Sequence, residues 1–201
     1  MHAERRSLYA LLVVTIVGAG IVGFGFVDAS ILESETTIDS SVGTSQVNNA
    51  RASLDGPVTL YVAGDGWLEA GMADRIADDL AQRGATVTRV ESLEKDSEGP
   101  ILAILVTESS ISYSPLSPSS TVETSFAYVH SGNATLASAI VDDAPIVIDN
   151  RDAYVVDGDV TVADRSSGLA TWPAYQRRVA TANARAVTDA LASAPGMDQP
   201  N

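Results

Sequence analysis

Leu8–Val27 reads LYALLVVTIVGAGIVGFGFV, with Arg5 and Arg6 just ahead of it and Asp28 just behind. Twelve of these twenty residues are Leu, Ile, Val or Phe, four are Gly, and none is charged. At about 1.5 Å per helical residue the stretch spans roughly 30 Å, the hydrocarbon thickness of a bilayer. It therefore predicts a single transmembrane helix over 8–27. A cleavable signal peptide is the competing expectation, but its apolar core usually runs only about 7 to 15 residues. A buried core helix would show a polar stripe, and none is visible. The flanking arginines place residues 1–7 in the cytoplasm by the positive-inside bias, and everything from Asp28 onward outside the cell.

Charge sharpens that expectation. Of 26 acidic residues only Glu4 precedes the span, and of 12 basic ones only Arg5 and Arg6 do, so residues 28–201 carry a net −15. Such a surface repels phosphates, which argues against nucleic acid and anionic headgroups as partners. Asp is preferred to Glu, and Lys95 is the only lysine. The composition resembles that of proteins from salt-loving archaea, whose carboxylate shell is screened in molar salt. The absence of cysteine excludes disulfides, thiol nucleophiles and iron–sulfur ligation.

Residues 28–56 are rich in Ser, Thr, Asp and Asn with scattered apolar positions such as Ile38 and Val42, which predicts an extended stalk. A domain over 57–194 follows, with a short tail at 195–201. Val58, Leu60 and Val62 alternate as a strand, and Leu68, Met72, Ile76 and Leu80 repeat at helical spacing until Gly84 closes the helix. Thr86 to Val90 reads as a second strand. Ile101 to Val106, ILAILV, is apolar enough to lie centrally in a sheet. Ser109 to Ser120, with two prolines and seven serines, predicts a long turn before Val122 to His130 resumes β character. Asn133 to Asp143 is helical, and Ile146 to Ile148 a short strand. Asp157-Gly158 suits a tight hairpin turn between Tyr154–Val156 and Val160–Val162. Thr171 and Pro173 open a long last helix, with Trp172, Tyr175, Val179, Ala182, Ala186 and Ala190 as its buried stripe. The fold class predicted is α+β, one mixed sheet packed by an N-terminal and a long C-terminal helix. The order is similar in outline to small envelope domains of bacterial lipoproteins, in which helices cover one face of a mixed sheet. That likeness implies architecture and no residue roles.

Chemistry has few places to reside. Gly64-Asp65-Gly66 stands where phosphate loops stand, but Glu69 occupies the place of the third glycine and Asp65 repels a phosphate, so no cofactor is expected. His130 is the only histidine in the domain, and no Gly-x-Ser-x-Gly elbow occurs. Asp149, Asp152, Asp157 and Asp159, flanked by Asp142, Asp143 and Asp164, are candidate oxygen ligands for a hard cation, in a spacing that fits no EF-hand. Asn133-Ala134-Thr135 is an acceptor sequence for N-linked sugar at Asn133. Tyr113 and Leu116, held in a proline-stiffened loop, are the candidate binding residues. Two functions follow as expectations. One is a membrane-anchored, non-enzymatic binding or structural domain that meets a protein or polymer of the cell envelope. The other is a membrane-tethered hydrolase that uses the aspartates or His130.

Overall fold

The computed structural model describes residues 11–16, 31–46, 51–64, 66–93, 99–144 and 154–198. They form a mixed α+β domain with three helices among the described residues. Nine strands and the helices follow in chain order as β1 (Leu11–Ile16), β2 (Ile31–Gln46), β3 (Ala52–Ser53), β4 (Gly56–Ala63), α1 (Gly66–Gln82), β5 (Ala85–Val90), β6 (Ile101–Ser112), β7 (Ser119–Val129), α2 (Ala134–Val141), β8 (Tyr154–Leu169), α3 (Trp172–Ala192) and β9 (Met197–Asp198). Seven strands make one sheet in the order β1-β2-β8-β7-β6-β4-β5, and β3 pairs with β9 separately.

The sheet has two halves. β5, β4 and β6 are parallel, joined through α1, and β6 through β7, β8 and β2 to β1 is antiparallel. α1 and α3 cover one face. Leu68, Met72, Ile76 and Leu80 of α1 and Tyr175, Val179, Ala184, Val187 and Leu191 of α3 pack there on Val58, Leu60, Leu102, Ile104, Tyr128, Val156 and Val162. The helices approach closely where Gly71 meets Ala180, since a Cβ at Gly71 would lie 2.8 Å from the Ala180 Cβ. α2 covers part of the other face, setting Leu136, Ala137 and Val141 on Ile101, Ala103, Ala127, Val129 and Val155. The helices are thus divided between both faces rather than confined to one.

The structure corrects the reading of the N-terminal stretch. Leu11–Ile16, inside the span expected to be one transmembrane helix, is a strand paired antiparallel with β2, from Leu11 opposite Ser41 to Ile16 opposite Thr36. No helix of the described residues is long and apolar enough to cross a membrane. LLVVTI is rich in β-branched residues, and a six-residue apolar run fits a strand as well as part of a helix. Hydropathy cannot see that β2 offers an open ladder edge that a strand of this kind completes.

The expected stalk is also structured. Ile31–Gln46 pairs along its whole length with β8. The residue alternation is real but is polar on both sides, so it carries no hydrophobic signature. Ile38 and Val42 pack on the α3-covered core, and ahead of them on the strand Ser34 and Thr36 meet the Asp164–Arg178 ion pair. Asp164, 1% exposed, accepts from Arg178 Nε at 3.1 Å and Nη2 at 3.0 Å, from Thr36 Oγ1 at 2.8 Å and from Ser166 Oγ at 2.8 Å. The same Arg178 Nη2 donates to the Ser34 hydroxyl. Three elements, β2, β8 and α3, therefore meet in one charge-assisted network.

β8 overturns a second expectation. Asp157-Gly158 makes no turn, and the strand runs unbroken with Gly158 opposite Phe126 on one side and Val42 on the other. A Cβ at Gly158 would lie 2.4 Å from the Ser41 carbonyl oxygen and 2.9 Å from the Phe126 ring. The glycine is needed for close approach inside the sheet, not for left-handed backbone. Ser109–Ser112 and Ser119–Ser120 likewise belong to β6 and β7, which shortens the loop to 113–118. The expected strand at 146–148 lies outside the described residues. α2 ends as a Schellman motif with Asp143 at φ +50, Asp143 N–H bonding the Ile140 carbonyl and Ala144 N–H the Ala139 carbonyl. Thr171 stands at the N-cap of α3, but its side chain makes no cap bond.

The ion pair sets the first prediction. Arg178→Ala leaves the Asp164 carboxylate buried without its cation, and should cost about 3 kcal/mol. Urea unfolding in molar salt measures the loss, and an unchanged midpoint would show that the network contributes nothing.

Candidate functional site

β4, β6 and β8 run parallel to one another, so their C-terminal ends lie at one end of the sheet. From these ends come Trp67 at the start of α1, Tyr113 after β6, and Leu169 and Trp172 at the junction of β8 with α3. Among the described residues the exposed large hydrophobic side chains are Tyr113 (38%), Leu116 (62%), Leu169 (61%) and Trp172 (36%). All four gather here. Trp172 meets Trp67 edge-on at 5.7 Å and Tyr113 at 5.1 Å between ring centroids, geometries that aromatic quadrupoles favour.

The turn that carries Leu116 is built into the sheet. Ser166, Gly168 and Ala170 donate their N–H groups to the carbonyls of Pro118, Leu116 and Pro115 at 3.0 Å each, which continues the β7–β8 ladder around the corner. Tyr113 Oη donates to the Ala170 carbonyl at 2.7 Å. Pro115 and Pro118 lack N–H groups and restrict the chain further, so little ordering entropy is left to lose on contact. Beneath the surface the Tyr175 ring lies 6.4 Å from that of Tyr113, tilted by 38°. Burial, followed by the charge of Asp164, pushes the Tyr175 phenol up to about 12 against the help of Ser120 and Arg178.

The structure thus brings Tyr113 and Leu116 together with three residues that the sequence reading did not assign to a site. Trp172 was expected in the buried stripe of α3, whose inward face instead begins at Tyr175 and includes Ala180, Ala184, Val187 and Leu191. The missed signal is that Trp67 and Trp172 each open a helix directly after a strand, and that those strands are parallel.

The other candidates do not converge. Asp149 and Asp152 lie outside the described residues. Asp157 and Asp159 point to the face of β8 opposite Asp164, and Asp142 and Asp143 cap the far end of α2. Among the described residues no group of three or more His or acidic side chains is placed to hold a metal. His130 is exposed at the opposite end of β7, with Nδ1 3.5 Å from Tyr128 Oη. Tyr128 Oη donates to the Ser53 carbonyl at 3.2 Å and Tyr154 Oη to that of Pro195 at 2.9 Å. Burial raises both phenols, Tyr154 to about 12, so they act as hydrogen-bond donors and not as acids near neutral pH. Asn133 caps α2, its Oδ1 accepting from Leu136 N–H at 3.0 Å, and the residue is exposed.

No protein-family model and no curated protein matches the chain. Among solved structures, a single-substitution variant of the PelC dodecamer from Paraburkholderia phytofirmans is similar at 12% identity and a TM-score of 0.38, over 74% of this chain and 96% of that one. The PelC dodecamer in another crystal form matches at 14% identity and a TM-score of 0.36, over 70% and 90%.

Asp157 offers a test of the acidic face. It lies against Gly43 across the β2–β8 pair, and this burial, then the charge of Asp159, raises its carboxyl above the usual range. A raised acid stabilises the fold below its unfolded value and loses that contribution as pH climbs through the folded one, so the charged form is a burden at pH 7. Asp157→Asn should raise Tm at pH 7 in dilute salt. The gain should shrink in molar salt, which screens Asp159, and vanish below about pH 3, where the carboxyl is neutral anyway. A gain independent of both would refute the electrostatic origin.

Proposed function

We propose that the chain is a salt-adapted, non-enzymatic binding or structural domain of a cell envelope, lying outside the cell, that works by presenting the Tyr113–Leu116 end to another envelope component. One observation carries this reading: every exposed large hydrophobic of the described residues sits around one turn whose backbone is already hydrogen-bonded in place. Preorganised aromatic and aliphatic anchors of this kind supply most of the free energy of a contact. The net −15 of residues 28–201 supports a high-salt setting and disfavours polyanions as partners. The outside location also makes exposed Asn133 an acceptor for sugar, which its capping role permits because the cap bond uses Oδ1 and not the amide nitrogen.

Two measurements test the proposal. Protease added to intact cells in molar salt should remove the domain, and a protected domain would place it inside. Tyr113→Ser with Leu116→Ser should lower retention of the full chain on isolated envelopes by about tenfold or more, the loss expected when contact anchors are truncated. Unchanged retention would move the contact elsewhere.

A further inference from the structure

The same end of the sheet is where the apolar N-terminal stretch leaves and rejoins the domain. β1 ends at Ile16, opposite Thr36, and β2 begins at Ile31, opposite Leu169 of the exposed cluster. Because β1 and β2 are antiparallel, the last residue of β1 and the first of β2 lie toward the same end of the sheet. The fourteen connecting residues, 17–30, read VGAGIVGFGFVDAS, with six Val, Ile or Phe and one charge, Asp28.

We infer that the surface formed by Trp67, Tyr113, Leu116, Leu169 and Trp172 rests on the interface of a lipid bilayer. This deepens the proposed function by naming the envelope component that the surface meets. Three observations carry it together. The exposed cluster is flanked by chain that is itself apolar, so one end of an otherwise acidic molecule is the end lipid would accept. Its rings are two Trp and a Tyr, the side chains whose apolar bodies and polar edges suit headgroup depth. Leu116 and Leu169, each exposed by more than half, project beside them as the residues that would enter the acyl boundary. Behind the cluster stand Glu33, opposite Ser167 on the β2–β8 pair, and Glu69 in the first turn of α1. Those acids select a zwitterionic surface over an anionic one in dilute salt.

Trp67 and Trp172 are the only tryptophans in the chain, so intrinsic emission reports on this surface without a label. The full chain is mixed in molar KCl with phosphatidylcholine vesicles, either plain or brominated on the acyl chains near the headgroup. Brominated lipid should quench the emission, and plain vesicles should blue-shift it and protect it from acrylamide. Leu116→Ser with Leu169→Ser, in a variant whose melting is unchanged, should weaken both effects. Emission that stays open to acrylamide and insensitive to bromine, or a chain that remains in the aqueous phase, overturns the inference. So does protection from acrylamide before any lipid is added. If that protection is independent of protein concentration, residues 17–30 cover the surface, and if it grows with concentration, a second copy does. A protease-sensitive domain on intact cells combined with unquenched tryptophans would leave the proposed function standing and remove only the lipid.

Discussion

The fold turns on one buried ion pair. Asp164 faces inward from β8 beneath α3, and without Arg178 its charge would be stranded in the core. Such a pair is tolerated when further hydrogen bonds support it, and here the hydroxyls of Ser34, Thr36 and Ser166 provide them while Arg178 keeps about a third of its side chain exposed. Two of the three come from β2. A strand with little apolar surface is held to the sheet by its ladder with β8 and by the two hydroxyls it lends to this ion pair, and β2 in turn is the edge on which β1 pairs.

This arrangement explains where sequence reasoning succeeded and where it stopped. The helix over 68–80, its closure at Gly84, the central strand at ILAILV and the long last helix were legible, because apolar residues there repeat at the period of the element. β2 was not, because its inward side chains include Ser34 and Thr36 as well as Ile38 and Val42, and the first two bond to a charge instead of packing in oil. Gly158 was misread for a related reason. A glycine after aspartate signals a turn locally, whereas here the need for it arises from Ser41 and Phe126, distant in sequence and near in space. The candidate surface was half visible: Tyr113 and Leu116 stood in a proline-bearing loop, but Leu169 and the tryptophans join them only through the parallel order of β4, β6 and β8.

The two ends of the sheet are built for different tasks. At one, tyrosine hydroxyls of β7 and β8 are tied to the carbonyls of Ser53 and Pro195, and β3 pairs with β9, so polar atoms are spent on closing the domain. At the other, the backbone closes itself through the ladder around Pro115 to Pro118, which leaves the Leu116 side chain free of structural duty. Rigidity without side-chain commitment is what a contact surface needs.

The ladder between β2 and β8 also constrains how the chain is made. Ser34 and the Arg178 that bonds it are 144 residues apart. At roughly 5 to 20 residues per second a ribosome needs about 7 to 30 s to cover that distance. Throughout that interval β2 has been synthesised while its neighbour and its cation have not. An apolar strand left waiting would be a template for aggregation, but one written in Ser, Thr, Glu and Asp stays hydrated until its partner emerges. The polarity that disguises β2 as a tether is thus what lets an early-made strand of the sheet be among the last to join it.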